Sequence, residues 1–492
     1  GKYELGGNID ASATSGWNAG AGFAPVGDST TNFTGSFDGK SHTISALTIN
    51  RPTTDYVGLF GYTAGSTISN VGFLNANISG KGYVGTLSGY NTGAVSDVSV
   101  TGVTGIVQAS DQNVGGLLGY NKGAGAIITN SSTAVAVTGT SGYAGGLIGM
   151  HETGGITDCY TTGTVTGNLN YVGGLVGYAV DSLPITRSYA TGAVIGAADV
   201  GGLVGYSRNV KIEYSYAMGA VQGTTSYTGG LIGYASSGTT IENSYATGAV
   251  SGSVNTGGLT GAADSSNIIN SYAVGAVSSS SSINIGGLTG RNSSSTITNS
   301  FYDKNTTGMS DTGKGTGKTT AEMKTLATFA GVSWDIDDAG GTGKIWRIYE
   351  GNTYPLLRCF LTSATATVKN DLTKVYNAST TVSGGSHTWN IGVDESKILG
   401  TAVYTSLSKN VGNQTVSLNG IYSNQQGYDI STVNGAVDIT AKAITVTGAT
   451  ASNRAYNGNT TATINTDSAL ITGGATTDDD KKYYTGDTVA LE

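Results

Sequence analysis

This sequence predicts an all-β chain dominated by a parallel β-helix, and three observations carry that prediction. The pentapeptide Gly-Gly-Leu-x-Gly recurs seven times and, with two variants, makes a ladder of nine leucines: Leu59, Leu87, Leu117, Leu147, Leu175, Leu203, Leu231, Leu259 and Leu288. The steps are 28, 30, 30, 28, 28, 28, 28 and 29 residues, a fixed period that marks a stacked-repeat architecture. Within each unit, short β-branched and aromatic blocks are separated by Gly, Asn, Ser and Thr clusters, which reads as strands and turns with no helical period.

A second block lies between the leucines, clearest in Asn243-Ser244-Tyr245-Ala246-Thr247-Gly248-Ala249-Val250 and Arg187-Ser188-Tyr189-Ala190-Thr191-Gly192-Ala193-Val194. Successive coils then pair as parallel strands, and nine of them span roughly 45 Å at about 4.8 Å per coil. The leucine never changes size, so it belongs inside the coil. The next residue varies from Phe60 and Leu118 to Ser88, Thr260 and Thr289, which points to a place nearer solvent. The flanking glycines fit turns or close backbone approach.

Composition sets further bounds. The chain has 492 residues, 79 Gly, 4 Pro and 11% charged residues. Regular apolar positions and 28 tyrosines argue against a flexible low-complexity chain. A net charge of −8 disfavours nucleic acid as a partner. No apolar run is long enough for a membrane helix, and no signal peptide or initiator Met opens the sequence. The strand-like start at Gly1-Lys2-Tyr3 and the ending Leu491-Glu492, native or left by cloning, read as a piece of a longer protein. Cys159 replaces the serine of sister units and reads as a small coil residue; with Cys359 as the other cysteine, disulfides are not expected to stabilise the chain.

Residues 1–305 form the expected β-helix. Thr312 to Lys318 reads as a Gly/Lys loop. Thr319 with Glu322 fits a capping box, and Met323, Leu326, Ala327 and Ala330 follow at helical spacing, predicting a helix over 320–330. Residues 306–360, with Trp334, Trp346 and Tyr354-Pro355-Leu356, are expected to cap the open end of the solenoid. Beyond them Lys374-Val375-Tyr376-Asn377 returns 80 residues later as Arg454-Ala455-Tyr456-Asn457. This makes 361–441 a first all-β module and 442–492 a second, truncated one.

The repeats from Gly58 to about residue 300 resemble GLUG motifs. The Tyr-Asn modules look like the YDG-type (MBG-like) domains that accompany them in filamentous-haemagglutinin-like bacterial adhesins. The Trp346 to Leu356 ending is similar to what closes GLUG arrays. The resemblance implies a right-handed parallel β-helix, two-partner secretion through an outer-membrane pore, and a role in adhesion or biofilm matrix on the cell surface.

Catalytic chemistry is weakly represented. His151-Glu152 begins like a zinc-protease helix but lacks the second His, and His42 and His387 are remote. Asp335, Asp337 and Asp338 offer oxygen ligands for calcium, but Trp346 stands where a closing Glu belongs. The Asp478-Asp479-Asp480 run reads as a solvated turn. No carboxylate recurs at the repeat spacing, as a polysaccharide-degrading β-helix needs. The sequence therefore predicts no enzyme, no cofactor and no metal site. Asn-x-Ser/Thr triplets are frequent, as expected by chance in so Ser/Thr/Asn-rich a chain.

The tyrosines form columns. Tyr62, Tyr90, Tyr120, Tyr178, Tyr206 and Tyr234 follow the ladder; Tyr160, Tyr189, Tyr216, Tyr245 and Tyr272 follow the second block. Both are expected to stack for stability. A third column, Tyr83, Tyr143, Tyr171 and Tyr227, alternates with Asn113, Asp199, Asn255 and Asn284. It is expected to be the more exposed and to bind extracellular polysaccharide or surface glycan. The expected function is thus an adhesin fragment that binds or spaces. The alternatives are a purely structural stalk and a polysaccharide-degrading enzyme.

Overall fold

A computed structural model describes residues 1–310 and 314–490; Thr312 and Gly313 of the expected loop and the terminal Leu491-Glu492 lie outside them. Two compact units divide the chain, Gly1–Trp334 and Asp335–Glu492.

The first unit is a parallel β-solenoid. Each coil carries four short faces, typified by Val176–Val180, then Ile185–Thr186 with Tyr189–Ala190, then Val194–Gly196, then Ala198–Gly201. Two of the faces run as nine-stranded parallel ladders, Thr48–Arg51 to Val277–Ser279 and Phe60–Thr63 to Thr289–Ser293.

The ladder leucines from Leu87 to Leu288 are fully buried, and Leu59 is partly buried against the same core. The residue after each leucine is buried as well, from Phe60 through Ser88, Val204 and Thr260 to Thr289. The expectation that it lies near solvent is therefore corrected. Leu203 sits in the bend and Val204 opens the strand; the bend breaks the in-and-out alternation of a regular strand, so two consecutive side chains enter the core. A small Ser or Thr fits there because it is inside. Thr260 Oγ1, for example, donates to Thr289 Oγ1 at 3.0 Å.

The glycines of the pentapeptide answer to backbone proximity. A Cβ on Gly202 would lie 2.0 Å from the Gly230 carbonyl oxygen one coil on, and one on Gly205 would lie 2.5 Å from the Gly177 oxygen. No side chain fits at that distance.

The Asn-Ser-Tyr-Ala block is equally specific. Asn243 adopts a left-handed conformation (φ 46°), as do Arg187, Asn270 and Asn299 at the same station, which Asn tolerates best. Ser244, Tyr245 and Ala246, which follow this kink, are all buried. Cys159 is buried in the serine column, and burial pushes its thiol up to about 12, so it is a coil residue.

The chain beyond the last coil closes the solenoid. Thr316–Lys318, expected as loop, is a strand paired in parallel with Phe301–Asp303. An edge strand gains hydrogen bonds by this addition, and glycine allows it: a Cβ on Gly315 or Gly317 would meet Leu288 at 2.7 Å or the Tyr302 ring at 2.8 Å. The predicted helix over 320–330 is two helices, Thr320–Met323 and Leu326–Ala330. The Thr319/Glu322 capping box is present, but Thr325 is extended. The break buries Met323 and Phe329, while Leu326 stays partly exposed.

In the second unit, Thr362–Val368 pairs with His387–Trp389 and Tyr428–Val433, and Leu372–Val375, Gly435–Thr440, Gly412–Tyr422 and Leu399–Ser406 form a second sheet. Residues 335–360 share a core with this module: Tyr349 and Leu356 pack with Ala364, Tyr428 and Ile430, and the Tyr349 hydroxyl donates to the Tyr428 carbonyl at 2.7 Å. Residues 442–490 contain four two-residue strands, and Tyr456 is 92% exposed, whereas its counterpart Tyr376 packs against the module's core.

Candidate functional site: a lateral tyrosine strip

Two residue stations flank the Gly-Gly-Leu bend and lie side by side on one lateral surface. One is the third strand residue after the leucine, held by Tyr62, Tyr90, Tyr120, Tyr178, Tyr206 and Tyr234. The other, mostly seven residues earlier, is held by Tyr56, Tyr83, Tyr143, Tyr171 and Tyr227. Their rings interlock. Tyr62 stacks on Tyr90 at 4.3 Å and Tyr56 on Tyr83 at 4.9 Å. Further along, Tyr143 stacks on Tyr178 at 4.9 Å, Tyr178 on Tyr206 at 4.8 Å, and Tyr227 on Tyr234 at 4.8 Å. Tyr171 stands edge-on to Tyr178 and Tyr206 at 5.2 and 5.6 Å.

The structure thus brings all four predicted residues, Tyr83, Tyr143, Tyr171 and Tyr227, onto one strip, each half-buried. The ladder tyrosines beside them are half-buried too, apart from the buried Tyr120, and the alternating Asn113, Asp199 and Asn255 are buried. Tyr56 and the ladder tyrosines belong to the same surface, and sequence reading set them apart. The spacing of seven across each bend was the signal available to join them.

Backbone conformation adds a second fact. Tyr56, Tyr83, Tyr171 and Tyr227 have φ of 60°, 53°, 64° and 58°. Asp199, Asn255 and Asn284 adopt the same conformation in other coils, where a short polar side chain is suited to it. A tyrosine there carries strain of about 1 kcal/mol or more.

Polar groups edge the strip. The Tyr120 hydroxyl donates to Glu152, and that of Tyr234 donates to Asp264 at 2.8 Å. Burial raises the Tyr90 and Tyr120 phenols well above their usual range and the Tyr234 phenol to about 12, so all remain neutral donors. Arg291 pairs with Asp264, its guanidinium 5.4 Å from the Tyr227 ring centre and 5.8 Å from that of Tyr234.

The other aromatic column has a different fate. From Tyr160 to Tyr272 the rings stack 4.9–5.0 Å apart within 5° of parallel. Tyr216, Tyr245 and Tyr272 are buried. This column is structural.

The remaining candidates do not converge. His151 is fully buried, and burial lowers it to about 4; it lies in the strand Ile148–Glu152, with its Nδ1 3.1 Å from Asn121 Nδ2. Asp335 pairs with Lys344 at 2.8 Å and Asp337 with Arg358 at 2.7 Å. Among the described residues no group of three or more His, Cys, Asp or Glu side chains is placed to hold a metal ion.

Residues 224–251 match the family model described as the GLUG motif. The chain carries a GLUG motif. The match spans one full coil, from the Tyr227 station through the Leu231 bend to Val250, so the GLUG unit is a single turn of the solenoid with both tyrosine stations in it. Among curated proteins, this chain is 43% identical over 114 residues to halomucin from Haloquadratum walsbyi, covering 23% of this chain and 1% of that protein. It is 40% identical over 175 residues to a "Putative Gly-rich membrane protein" of Evansella cellulosilytica, covering 35% and 13%. It therefore spans only a small part of the curated relatives it matches. A crystal structure of a "putative immunoglobulin A1 protease" from Bacteroides ovatus covers 73% of this chain and 86% of that one, at 21% identity and a TM-score of 0.31. A likeness of that degree carries no functional argument.

Proposed function

We propose that this chain is part of a secreted or cell-surface protein that binds extended glycan along the tyrosine strip and catalyses no reaction. The strip itself carries the reading. It repeats the same chemistry at successive coils, which suits a polymer better than a small molecule, and its rings offer stacking faces edged by neutral hydroxyl and amide groups. Holding tyrosine at a left-handed position that Asn fills elsewhere is unfavourable for the fold alone. Ring presentation is a reason to keep it. Weak contacts repeated along the solenoid add by multivalency. Matches to a protein named for a mucin and to one named for a membrane support a surface location. The full-length form of the proposal is a filamentous-haemagglutinin-like adhesin exported through a partner pore to the outer-membrane exterior, with YDG-type modules after the solenoid. Surface labelling of the full-length protein with and without the pore tests that form.

The second reading is a stalk that spaces a binding tip, favoured by rings that stack on one another, as Tyr178 does on Tyr206. A glycan array with the intact chain separates the two. Binding to extended polysaccharides supports the proposal, and no binding to any glycan favours the stalk. Release of new reducing or unsaturated ends from an acidic polysaccharide would refute the absence of catalysis.

A further inference from the structure

Asp199 interrupts the strip. In the sheet register it occupies, in its own coil, the place that Tyr171 holds one coil before and Tyr227 one coil after. Tyr206 follows in the same coil and contacts Tyr171, Tyr178 and Tyr234. The Asp199 side chain is only 7% exposed, and among the described residues its carboxyl accepts no hydrogen bond and forms no ion pair. Arg208, two residues beyond Tyr206, is paired with Asp181 at 2.7 Å. A buried carboxylate without a partner is costly, and burial alone pushes this one up to about 7. The register sets Asp199 between the Tyr171 and Tyr227 positions of the neighbouring coils.

The same strip shows what such a constellation holds when it is filled. Two coils on, the carboxylate of Asp264 and the rings of Tyr227 and Tyr234 receive the guanidinium of Arg291. Aromatic faces and a carboxylate both present negative potential to a cation. Around Asp199 the tyrosine positions and the carboxylate are present, and among the described residues no cation pairs with it.

We propose that Asp199, set between Tyr171 and Tyr227 and beside Tyr206, binds the ammonium group of an amino sugar, so that the strip prefers a glycan carrying free amines. This rests on the glycan-binding reading above and names its ligand class. The sugar ring packs on the tyrosine faces, and its ammonium donates to the Asp199 oxygens. A neutral glycan uses the same faces and leaves the carboxylate unpaired.

The test uses the whole chain and three oligosaccharides of equal length in calorimetry: β-1,4-linked glucosamine, its N-acetylated form, and the matching glucose oligomer. Asp199→Asn is the informative variant, because Asn113, Asn255 and Asn284 already hold this station in other coils and the fold accepts it. Asp97→Asn, at an exposed carboxylate elsewhere on the solenoid, controls for attraction of a polycation to an acidic chain. The expected result is tightest binding of the glucosamine oligomer, lost at least tenfold in Asp199→Asn and unchanged in Asp97→Asn, with the neutral oligomers indifferent to both changes. Equal affinity for the three oligomers, or equal losses in the two variants, overturns this inference and leaves the glycan reading standing. Absence of binding by all three overturns both. Binding of a lysine-rich peptide through Asp199, with no oligosaccharide bound, overturns the ligand class.

Discussion

The backbone N–H of Ser215 donates to the Oγ of Ser244, one coil further along, at 3.2 Å. The Ser244 hydroxyl in turn donates to the Glu242 carbonyl at 2.8 Å. The relay runs from Cys159 through Ser188, Ser215, Ser244 and Ser271 to Ser300 with the same 3.2 Å geometry. Each kink exposes a buried N–H to the core, and the next coil's side chain accepts it. Replacing Ser244 by Ala leaves the Ser215 N–H unpaired in the core, while the Glu242 carbonyl keeps the Tyr214 N–H, which donates to it at 3.3 Å. The expected cost is about 1–3 kcal/mol, read from urea unfolding of the solenoid. Ser244→Cys should cost less, since Cys159 fills this station natively. Equal losses in the two variants would argue against the hydrogen-bond account.

Leu203 is fully buried in the ladder. Leu203→Ala should destabilise the solenoid by about 2–5 kcal/mol through lost transfer energy and a residual cavity. A loss below about 1 kcal/mol in the same unfolding assay would show that the coil collapses around the gap.

The tyrosine stack ends on Phe301 and Trp334, whose rings lie 6.1 Å apart, and Trp334 Nε1 donates to the Asn299 carbonyl at 2.8 Å. Trp334→Ala should uncover the last coil. Amide exchange should then speed up over residues 270–303 and stay unchanged near Leu117. Uniform acceleration along the solenoid would contradict a local capping role.

Binding should follow the strip. Changing Tyr83, Tyr143, Tyr171 and Tyr227 together to Asn, the residue other coils use at this station, should leave circular dichroism intact and reduce polysaccharide binding at least tenfold. A chelator should have no effect. Full binding by the quadruple variant, or its loss on chelation, would place the site elsewhere.

Asp199 makes stability pH-dependent in a defined direction. Burial holds its carboxyl at about 7 in the folded chain against an ordinary value of 3.8, so the folded state binds the proton more tightly. That contribution is fully present below about pH 4, falls as pH rises towards 7, and is flat above it. Asp199→Asn should therefore match the natural chain at pH 4 and exceed it at pH 8, by up to a few kcal/mol. An equal difference at both values would rule out titration of Asp199 as the cause.

The sequence by itself determined the solenoid. The leucine period dictates coil length, and because each coil touches only its neighbours, a local pattern is enough to specify the stack. The capping box was legible for the same reason, being complete within Thr319 to Glu322. Tertiary structure decided what depends on approach between distant segments. Whether Ser88 and Thr289 face in or out turns on the bend at each leucine, where strand alternation fails. Whether Thr316–Lys318 is loop or strand turns on the free edge at Phe301–Asp303. Whether residues 320–330 make one helix or two turns on burying both Met323 and Phe329. The strip follows the same rule: its tyrosines are visible as two columns in the sequence, but only the bend between them makes one surface. That Asp199 is buried between the Tyr171 and Tyr227 positions follows from the stacking of three successive coils.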